Sequence, residues 1–104
     1  MQETERIREM EAILDRLAAA KNDLSKALSA FGDMQGDLKA LSDYYGSKSY
    51  FHDLEMDEKG LLPADLKRGV LSEDAVYDLL GEIREIAEEM NQMSERTIES
   101  IKKE

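Results

Sequence analysis

The stretch LLPADLKRGVLSED, residues 61–74, decides the fold, because it separates two long amphipathic segments and carries the stop and start signals between them. Pro63, the single proline of the chain, fits the first position of a short helical turn, PADLKR, which Gly69 would end. Ser72 then fits the N-cap of a following helix. We therefore expect an ordered turn and, directly after it, a new helix.

This new helix is predicted over about residues 73–102. Leu71 and Val76 stand where a hydrophobic staple needs its two partners, and Lys102 and Lys103 suit the negative end of the helix dipole. Apolar residues recur along the segment at helical spacing: Val76, Leu79, Leu80, Ile83, Ile86, Ala87, Met90, Met93 and Ile101.

Another long helix is predicted before the turn, over about residues 4–45, and Gly46 would end it. A companion row of apolar residues begins at Ile7 and Leu14 but fails at Lys21, a drift that is typical of a straight helix with 3.6 residues per turn. Residues spaced by seven, as in a coiled coil, form the main row: Met10, Leu17, Leu24, Phe31, Leu38 and Tyr45.

The segment between the two long helices, residues 46–71, also looks ordered. Ser49 is a candidate cap for a short helix through YFHDLEMDE, and Gly60 stands after its end. No strand-like alternation is present. The predicted fold is all-α, a single domain over residues 1–104: an antiparallel hairpin of two long helices, with a connector of one or two short helices packed at one end.

If the two long helices run antiparallel with Tyr45 near Ser72, Gly36 falls opposite Gly81 and Leu24 lies beside Met93. A close approach of the two backbones would explain glycines inside helices, where each costs about 1 kcal/mol relative to alanine. A two-helix stalk leaves much of its apolar surface uncovered. We therefore expect the chain to associate with itself as a homodimer.

Composition excludes several classes of function. The formal net charge of −10 argues against DNA, RNA or an anionic membrane surface as a partner, because binding phosphates needs a basic surface. The chain has no cysteine, so disulfides, thiolate metal sites and thiol nucleophiles are absent. It contains neither a membrane-spanning run nor an apolar signal segment, and we expect a cytoplasmic protein.

The acidic residues suggest metal binding only weakly, and we expect no cofactor or metal. Asp53, Glu55 and Asp57 alternate as in an EF-hand loop, but Glu58 and Ala64 occupy the positions that need glycine and a bidentate glutamate. His52, the single histidine, has no catalytic partner at a recognised spacing. A metal site on the last helix would use acids that flank its apolar seam: Glu82, Glu85, Glu88 and Glu89.

The best candidate for an interaction site is an aromatic cluster with a basic pair at the connector end. Phe51 accompanies the cluster. One interpretation is a small core that closes the hairpin, with the basic pair at a helix end. The other is a recognition site for an anionic group or an acidic peptide. The candidate residues are Tyr44, Tyr45, Tyr50, Lys67, Arg68 and Tyr77.

A family resemblance lies in YYGSKSYFHDLEMDEKGLLPADLKRGVLSEDAVYDLL, residues 44–80. This region resembles the core of the small bacterial domain-of-unknown-function family 4298, in which YYGS and LPxDLKRGVLSED motifs follow a long amphipathic helix. Phe51 stands where the family pattern has tryptophan, and His52 is variable. The resemblance implies a bacterial origin, an all-α fold and no assigned activity, and it brings no catalytic residues to this chain.

The function expected from the sequence is a non-enzymatic interaction or scaffold protein that acts as a homodimer and contacts a protein partner through its connector end. The alternative is an all-α enzyme or small-ligand-binding protein with a site around Tyr45, Tyr77, Lys67 and Arg68.

Overall fold

The structure, a computed structural model, describes residues 1–101 of the chain. Within that range all regular structure is helical and no strand is present, so the all-α class is confirmed. The elements are α1 (Gln2–Asp33), α2 (Gln35–Tyr44), α3 (Lys48–Glu58), a short 3-10 helix (Gly69–Leu71) and α4 (Ala75–Ser100). None of these helices combines the length and the apolar character that crossing a membrane requires.

The chain divides into two compact units, Met1–Lys39 and Ala40–Glu104. The single domain and the antiparallel packing of the two long helices therefore stay predictions. The first long helix is itself divided, which corrects the single helix expected over residues 4–45. At Met34 the backbone N–H bonds to Phe31 O at 3.0 Å, a tighter turn than the α-helical one, and glycines stand two residues to either side.

In the first unit, α1 has no buried residue. Its large apolar side chains recur at helical spacing, and we call six of them the α1 stripe. Their exposed fractions lie between 49% and 64%. The α1 stripe consists of Ile7, Met10, Leu14, Leu17, Leu24 and Leu28.

The core of the second unit lies where the 3-10 helix packs against α3 and α4. It is formed by Tyr50 of α3, Leu71 of the 3-10 helix and Val76 of α4, with exposed fractions of 7%, 8% and 4%. Leu71 and Val76 are the two residues that the staple pattern pairs across the start of α4. Both residues are buried, although α4 begins two residues later than the start from which the staple was predicted.

Two of the three helix ends that glycine was expected to mark, those at Gly46 and Gly60, are found in the second unit. Gly46 follows α2 with φ of 82°, and Gly60 follows α3 with φ of 68°, a left-handed conformation that only glycine adopts readily. After α3, Leu61 N bonds to Met56 O at 3.0 Å and Gly60 N bonds to Asp57 O at 3.0 Å, which is the Schellman arrangement.

The N-cap of α3 is Ser47, not Ser49 as the sequence suggested. Ser47 has extended backbone angles and its Oγ accepts a hydrogen bond from Tyr50 N at 3.1 Å. Ser49 lies inside the helix. The helix starts earlier because Ser47 directly follows the left-handed Gly46, so the chain re-enters a helix within two residues.

The predicted helical turn PADLKR is a single reverse turn, in which Leu66 N bonds to Pro63 O at 3.1 Å. The turn does not continue into a helix, and the Arg68 side chain donates hydrogen bonds to the carbonyl oxygens of Pro63, Ala64 and Leu66. Gly69 accordingly begins the 3-10 helix instead of ending a helical turn.

The N-cap of α4 is Asp74, not Ser72 as the sequence suggested, and the Asp74 side chain forms no capping hydrogen bond. α4 begins at Ala75 with Asp74 before it, and Ser72 Oγ accepts a hydrogen bond from Ala75 N at 3.3 Å. The helix ends at Ser100. The predicted contribution of Lys102 and Lys103 lies outside the described residues.

Candidate functional site

The centre of the predicted site is the ring of Tyr50, which three other aromatic rings contact. Its centroid lies 5.6 Å from that of Tyr44, 5.4 Å from that of Tyr45 and 5.3 Å from that of Phe51. The interplanar angles of 65° to 85° are edge-to-face arrangements, which place the positive edge of one ring against the negative face of another. The aromatic cluster expected from the sequence is therefore formed by these four residues.

Sequence spacing explains why the four rings meet. Tyr44 and Tyr45 lie at the end of α2, and Gly46 and Ser47 turn the chain directly into α3, which carries Tyr50. The turn between α2 and α3 is three residues long, so the last turn of one helix faces the first turn of the next.

Tyr44 is also held by a hydrogen bond. Its hydroxyl donates to Asp53 Oδ2 at 2.7 Å, across the junction of α2 and α3. This hydrogen bond, together with partial burial and the negative charge of Asp53, raises the pKa of Tyr44 to about 12. Tyr44 therefore fastens α3 to the end of α2 and keeps its proton at neutral pH.

Beside the cluster lies an open groove of about 580 Å³, which we call the aromatic groove. Its walls are mainly apolar and aromatic, and two carboxylates, Glu58 and Glu73, stand among the lining residues. Tyr50, Leu54 and Glu58 reach it because residues four apart share one face of α3. The groove is lined by Tyr45, Gly46, Tyr50, Phe51, Leu54, Glu58, Leu71 and Glu73.

Arg68 connects two parts of the connector through an ion pair and several hydrogen bonds. Its Nη1 pairs with Asp57 Oδ1 at 2.6 Å, and its Nη2 donates to the carbonyl oxygens of Pro63 at 3.0 Å and Ala64 at 3.3 Å. A further bond joins Nε to Leu66 O at 3.4 Å. The guanidinium thus ties the loop after α3 back to α3, and its charge is compensated by Asp57.

Lys67 and Tyr77 are placed differently from Arg68. Lys67 is exposed and forms no hydrogen bond or ion pair with any residue in the range 1–101. Tyr77 is 66% exposed and takes no part in the ring contacts. The structure therefore brings Tyr44, Tyr45 and Tyr50 together but adds neither Lys67 nor Tyr77 to that cluster, and recognition by the six residues stays a prediction.

The acidic residues of the EF-hand-like run are separated by their own partners. Asp57 pairs with Arg68, and Glu55 pairs with Lys59 at 2.7 Å, one helical turn along α3. Within residues 1–101 no three histidine, aspartate or glutamate side chains gather closely enough to hold a metal ion.

The sequence analysis missed Leu54 and Glu58 as lining residues of the groove and Asp53 as the partner of Tyr44. A signal for the first two was present, because Tyr50, Leu54 and Glu58 are spaced by four within a predicted helix. Glu73 carries no such signal, since it reaches the groove only through the packing of the 3-10 helix against α3.

Comparison with known proteins gives one match. Residues 7–93 match the family described as a domain of unknown function, DUF4298. No match was found among curated proteins or among solved structures. The match includes all of α2, α3 and the 3-10 helix, and with them the aromatic groove.

Proposed function

The chain belongs to the DUF4298 family, and from this premise we propose that it is a non-enzymatic interaction module that works as a homodimer through the α1 stripe. The observation that carries the proposal is the exposure of all six side chains of the stripe. Contiguous apolar surface of this kind on a soluble chain marks an interaction surface.

The spacing of the α1 stripe suits another helix as its partner. Ile7, Met10, Leu14 and Leu17 alternate in steps of three and four, which is the pattern of a coiled-coil seam. The next position of the row is Lys21, and the seam resumes at Leu24. A single polar residue in such a row is a device that selects one register of association over others.

Charge favours a second copy as the partner helix. α1 has seven acidic and five basic residues, so it carries a net charge of −2 out of the −10 of the whole chain. Two α1 helices can therefore approach with little repulsion, and their interspersed Arg, Lys, Glu and Asp side chains can pair at the edges of the seam. The remaining −8 is carried by residues outside α1.

The energetic gain is comparable with the cost of association. Completing the burial of one half-exposed Leu, Ile or Met side chain contributes about 1 kcal/mol. Six such side chains from each copy contribute about 12 kcal/mol, against a loss of translational and rotational freedom that costs on the order of 4–15 kcal/mol.

The test is the mass in solution, measured by size-exclusion chromatography with light scattering. We expect twice the 11.8 kDa of one chain at micromolar concentration. The double variant Leu17→Glu/Leu24→Glu places charges in the stripe and should give the mass of a single chain.

A matched control is Asn22→Glu/Ser29→Glu, which adds the same charge to the same helix at positions off the stripe. It should remain dimeric. Single-chain mass for the unaltered protein, or equal effects of the two double variants, would contradict the proposal.

A cross-link separates this proposal from the hairpin, which covers the stripe within one chain. Because the chain has no cysteine, Leu24→Cys/Met93→Cys introduces the only two thiols. A disulfide within single chains, together with a monomeric mass, would show that the hairpin and not a second copy covers α1. Cross-linking of Leu24→Cys alone between chains would support the homodimer.

A further inference from the structure

We propose that the aromatic groove binds a peptide segment in which a lysine or arginine lies beside an apolar side chain. This inference does not depend on the homodimer, because the groove lies in the second unit and the α1 stripe in the first. The basic pair Lys67 and Arg68 suggested an anionic ligand, whereas the ligand proposed for the groove is positively charged.

The size and walls of the groove suit side chains of a peptide. A volume of about 580 Å³ lies within the range of roughly 300–1,000 Å³ that is usual for ligand sites. Phe51 lines the groove and is 59% exposed, which leaves a large aromatic surface uncovered. Tyr50 is buried and holds Phe51 by an edge-to-face contact, so the wall is fixed before a ligand arrives.

The two carboxylates of the groove decide the charge of its ligand. Neither Glu58 nor Glu73 forms an ion pair or hydrogen bond with any residue in the range 1–101, whereas the nearby Asp57 and Glu55 are both paired. A cation in the groove would find carboxylates that no residue in the range 1–101 neutralises. An anion would meet uncompensated negative charge.

The position of Glu58 strengthens this argument. It is the last residue of α3, where the negative end of the helix dipole disfavours a carboxylate. A bound lysine or arginine would compensate both the carboxylate and the helix end. The same cation would lie near the faces of Tyr45 and Phe51, which attract positive charge.

Arg68 and Lys67 do not oppose this assignment. The guanidinium of Arg68 is neutralised by Asp57, and neither basic residue lines the groove. The net charge of −10 also attracts a basic segment over longer distances.

The experiment uses three probe peptides that differ in one residue: acetyl-Leu-Arg-Phe-amide, acetyl-Leu-Gln-Phe-amide and acetyl-Leu-Glu-Phe-amide. Each is titrated into isotope-labelled full-length protein, and nuclear magnetic resonance follows the signals of Phe51, Leu54 and Leu71. We expect the arginine peptide to shift these signals and to bind at least tenfold more tightly than the glutamate peptide, with the glutamine peptide between them.

Two double variants locate the charge effect. Glu58→Gln/Glu73→Gln should weaken binding of the arginine peptide about tenfold and leave the glutamine peptide unchanged. Glu85→Gln/Glu88→Gln removes the same net charge from exposed positions of α4 that do not line the groove, and it should weaken binding less than twofold.

The proposal would be overturned if the glutamate peptide bound as tightly as the arginine peptide or more tightly, or if the two double variants lost the same affinity for the arginine peptide. It would also be overturned if no peptide shifted the groove signals at millimolar concentration, or if the groove signals moved with protein concentration alone. The last result would assign the groove to a second copy of the chain. The titration is repeated in the Leu17→Glu/Leu24→Glu background, where binding should persist, so that failure of the homodimer and failure of the groove are told apart.

Discussion

α1 and the connector end are both amphipathic and both carry well-spaced apolar residues, yet only one of them has a core. No residue of α1 is buried, whereas Tyr50, Leu71 and Val76 are buried where α3, the 3-10 helix and α4 meet. Periodicity thus shows that a helix has an apolar face, but it does not show what that face packs against. Short-range turns and caps brought the connector residues together, and the 3-10 helix packs against both α3 and α4.

The two regions differ in the same way at their helix ends. α1 begins after Met1 without a side-chain cap and has no basic residue in its last turn. In contrast, Ser47 caps α3 and Ser72 bonds to the first N–H of α4. A helix in water gains most of its stability from packing of its apolar face, and within the described residues such packing is found in the connector but not on α1.

The largest expected effect in the connector comes from Tyr50→Ala. The substitution removes a buried ring and its three edge-to-face contacts, and it should lower the free energy of unfolding by about 3 kcal/mol. Urea unfolding followed by near-ultraviolet circular dichroism of the tyrosines measures the effect on the connector.

Tyr77→Ala is the matched control, because Tyr77 is 66% exposed and makes no ring contact; its change should stay within about 0.5 kcal/mol. If Tyr50→Ala abolished the helicity of α1 to the same extent as the connector signal, the two regions would form one cooperative unit and the contrast between them would be lost.

A smaller effect separates the two basic residues of the connector. Arg68→Met removes the charged partner of Asp57 and the hydrogen bonds that the guanidinium donates to three carbonyl oxygens, and it should cost about 1.5 kcal/mol. Lys67→Met should change stability by less than about 0.5 kcal/mol, because Lys67 has no partner in the described part of the chain. Equal costs in urea unfolding would show that Arg68 does not hold the connector.

Local signals predicted much of the connector. Gly46 and Gly60 end helices as expected, and the staple residues Leu71 and Val76 are buried, because each of these features depends on residues a few positions apart. The clustering of Tyr45 with Tyr50 follows from the same short turn.

Other features could not be predicted because they depend on contacts between distant residues. The reverse turn at Pro63 is bridged by the side chain of Arg68, which reaches back to carbonyl oxygens and to Asp57, eleven residues earlier. Nothing in the sequence near Arg68 distinguishes this position from that of Lys67. The interruption at Met34 was predictable only in part. Gly32 and Gly36 lower the helix propensity of this segment, but they do not determine at which residue the helix is interrupted.

Tyr44→Phe tests the bond between α2 and α3. Loss of the hydrogen bond to Asp53 should cost about 1 kcal/mol at neutral pH. Because the pKa of Tyr44 is raised from 10.0 to about 12, the folded state holds this proton more tightly than the unfolded state. The stabilisation is therefore complete below pH 10 and is lost as the pH rises through about 12.

The measurement is the difference in unfolding free energy between the unaltered protein and Tyr44→Phe across this pH range. The difference should shrink between pH 10 and 12. Tyr45→Phe is the control, since the Tyr45 hydroxyl has no hydrogen-bond partner among residues 1–101, and its difference should be near zero throughout. A Tyr44→Phe difference that grew with pH would have the wrong sign and would exclude this role for the bond.

The smallest expected change in stability belongs to Gly81→Ala. This substitution tests whether another helix packs against α4 at Gly81. A Cβ at Gly81 would meet no atom within 4 Å, so alanine adds helix propensity without a clash and should stabilise α4 by somewhat less than 1 kcal/mol. The antiparallel hairpin with Gly36 opposite Gly81 predicts the reverse, because a methyl group would separate two closely packed backbones. Thermal unfolding of Gly81→Ala, with Ser94→Ala on the same helix as a control for propensity alone, decides between the two. If both variants are more stable than the unaltered protein, no helix packs closely against α4 at Gly81. If only Gly81→Ala is less stable, another helix packs against α4 at that position.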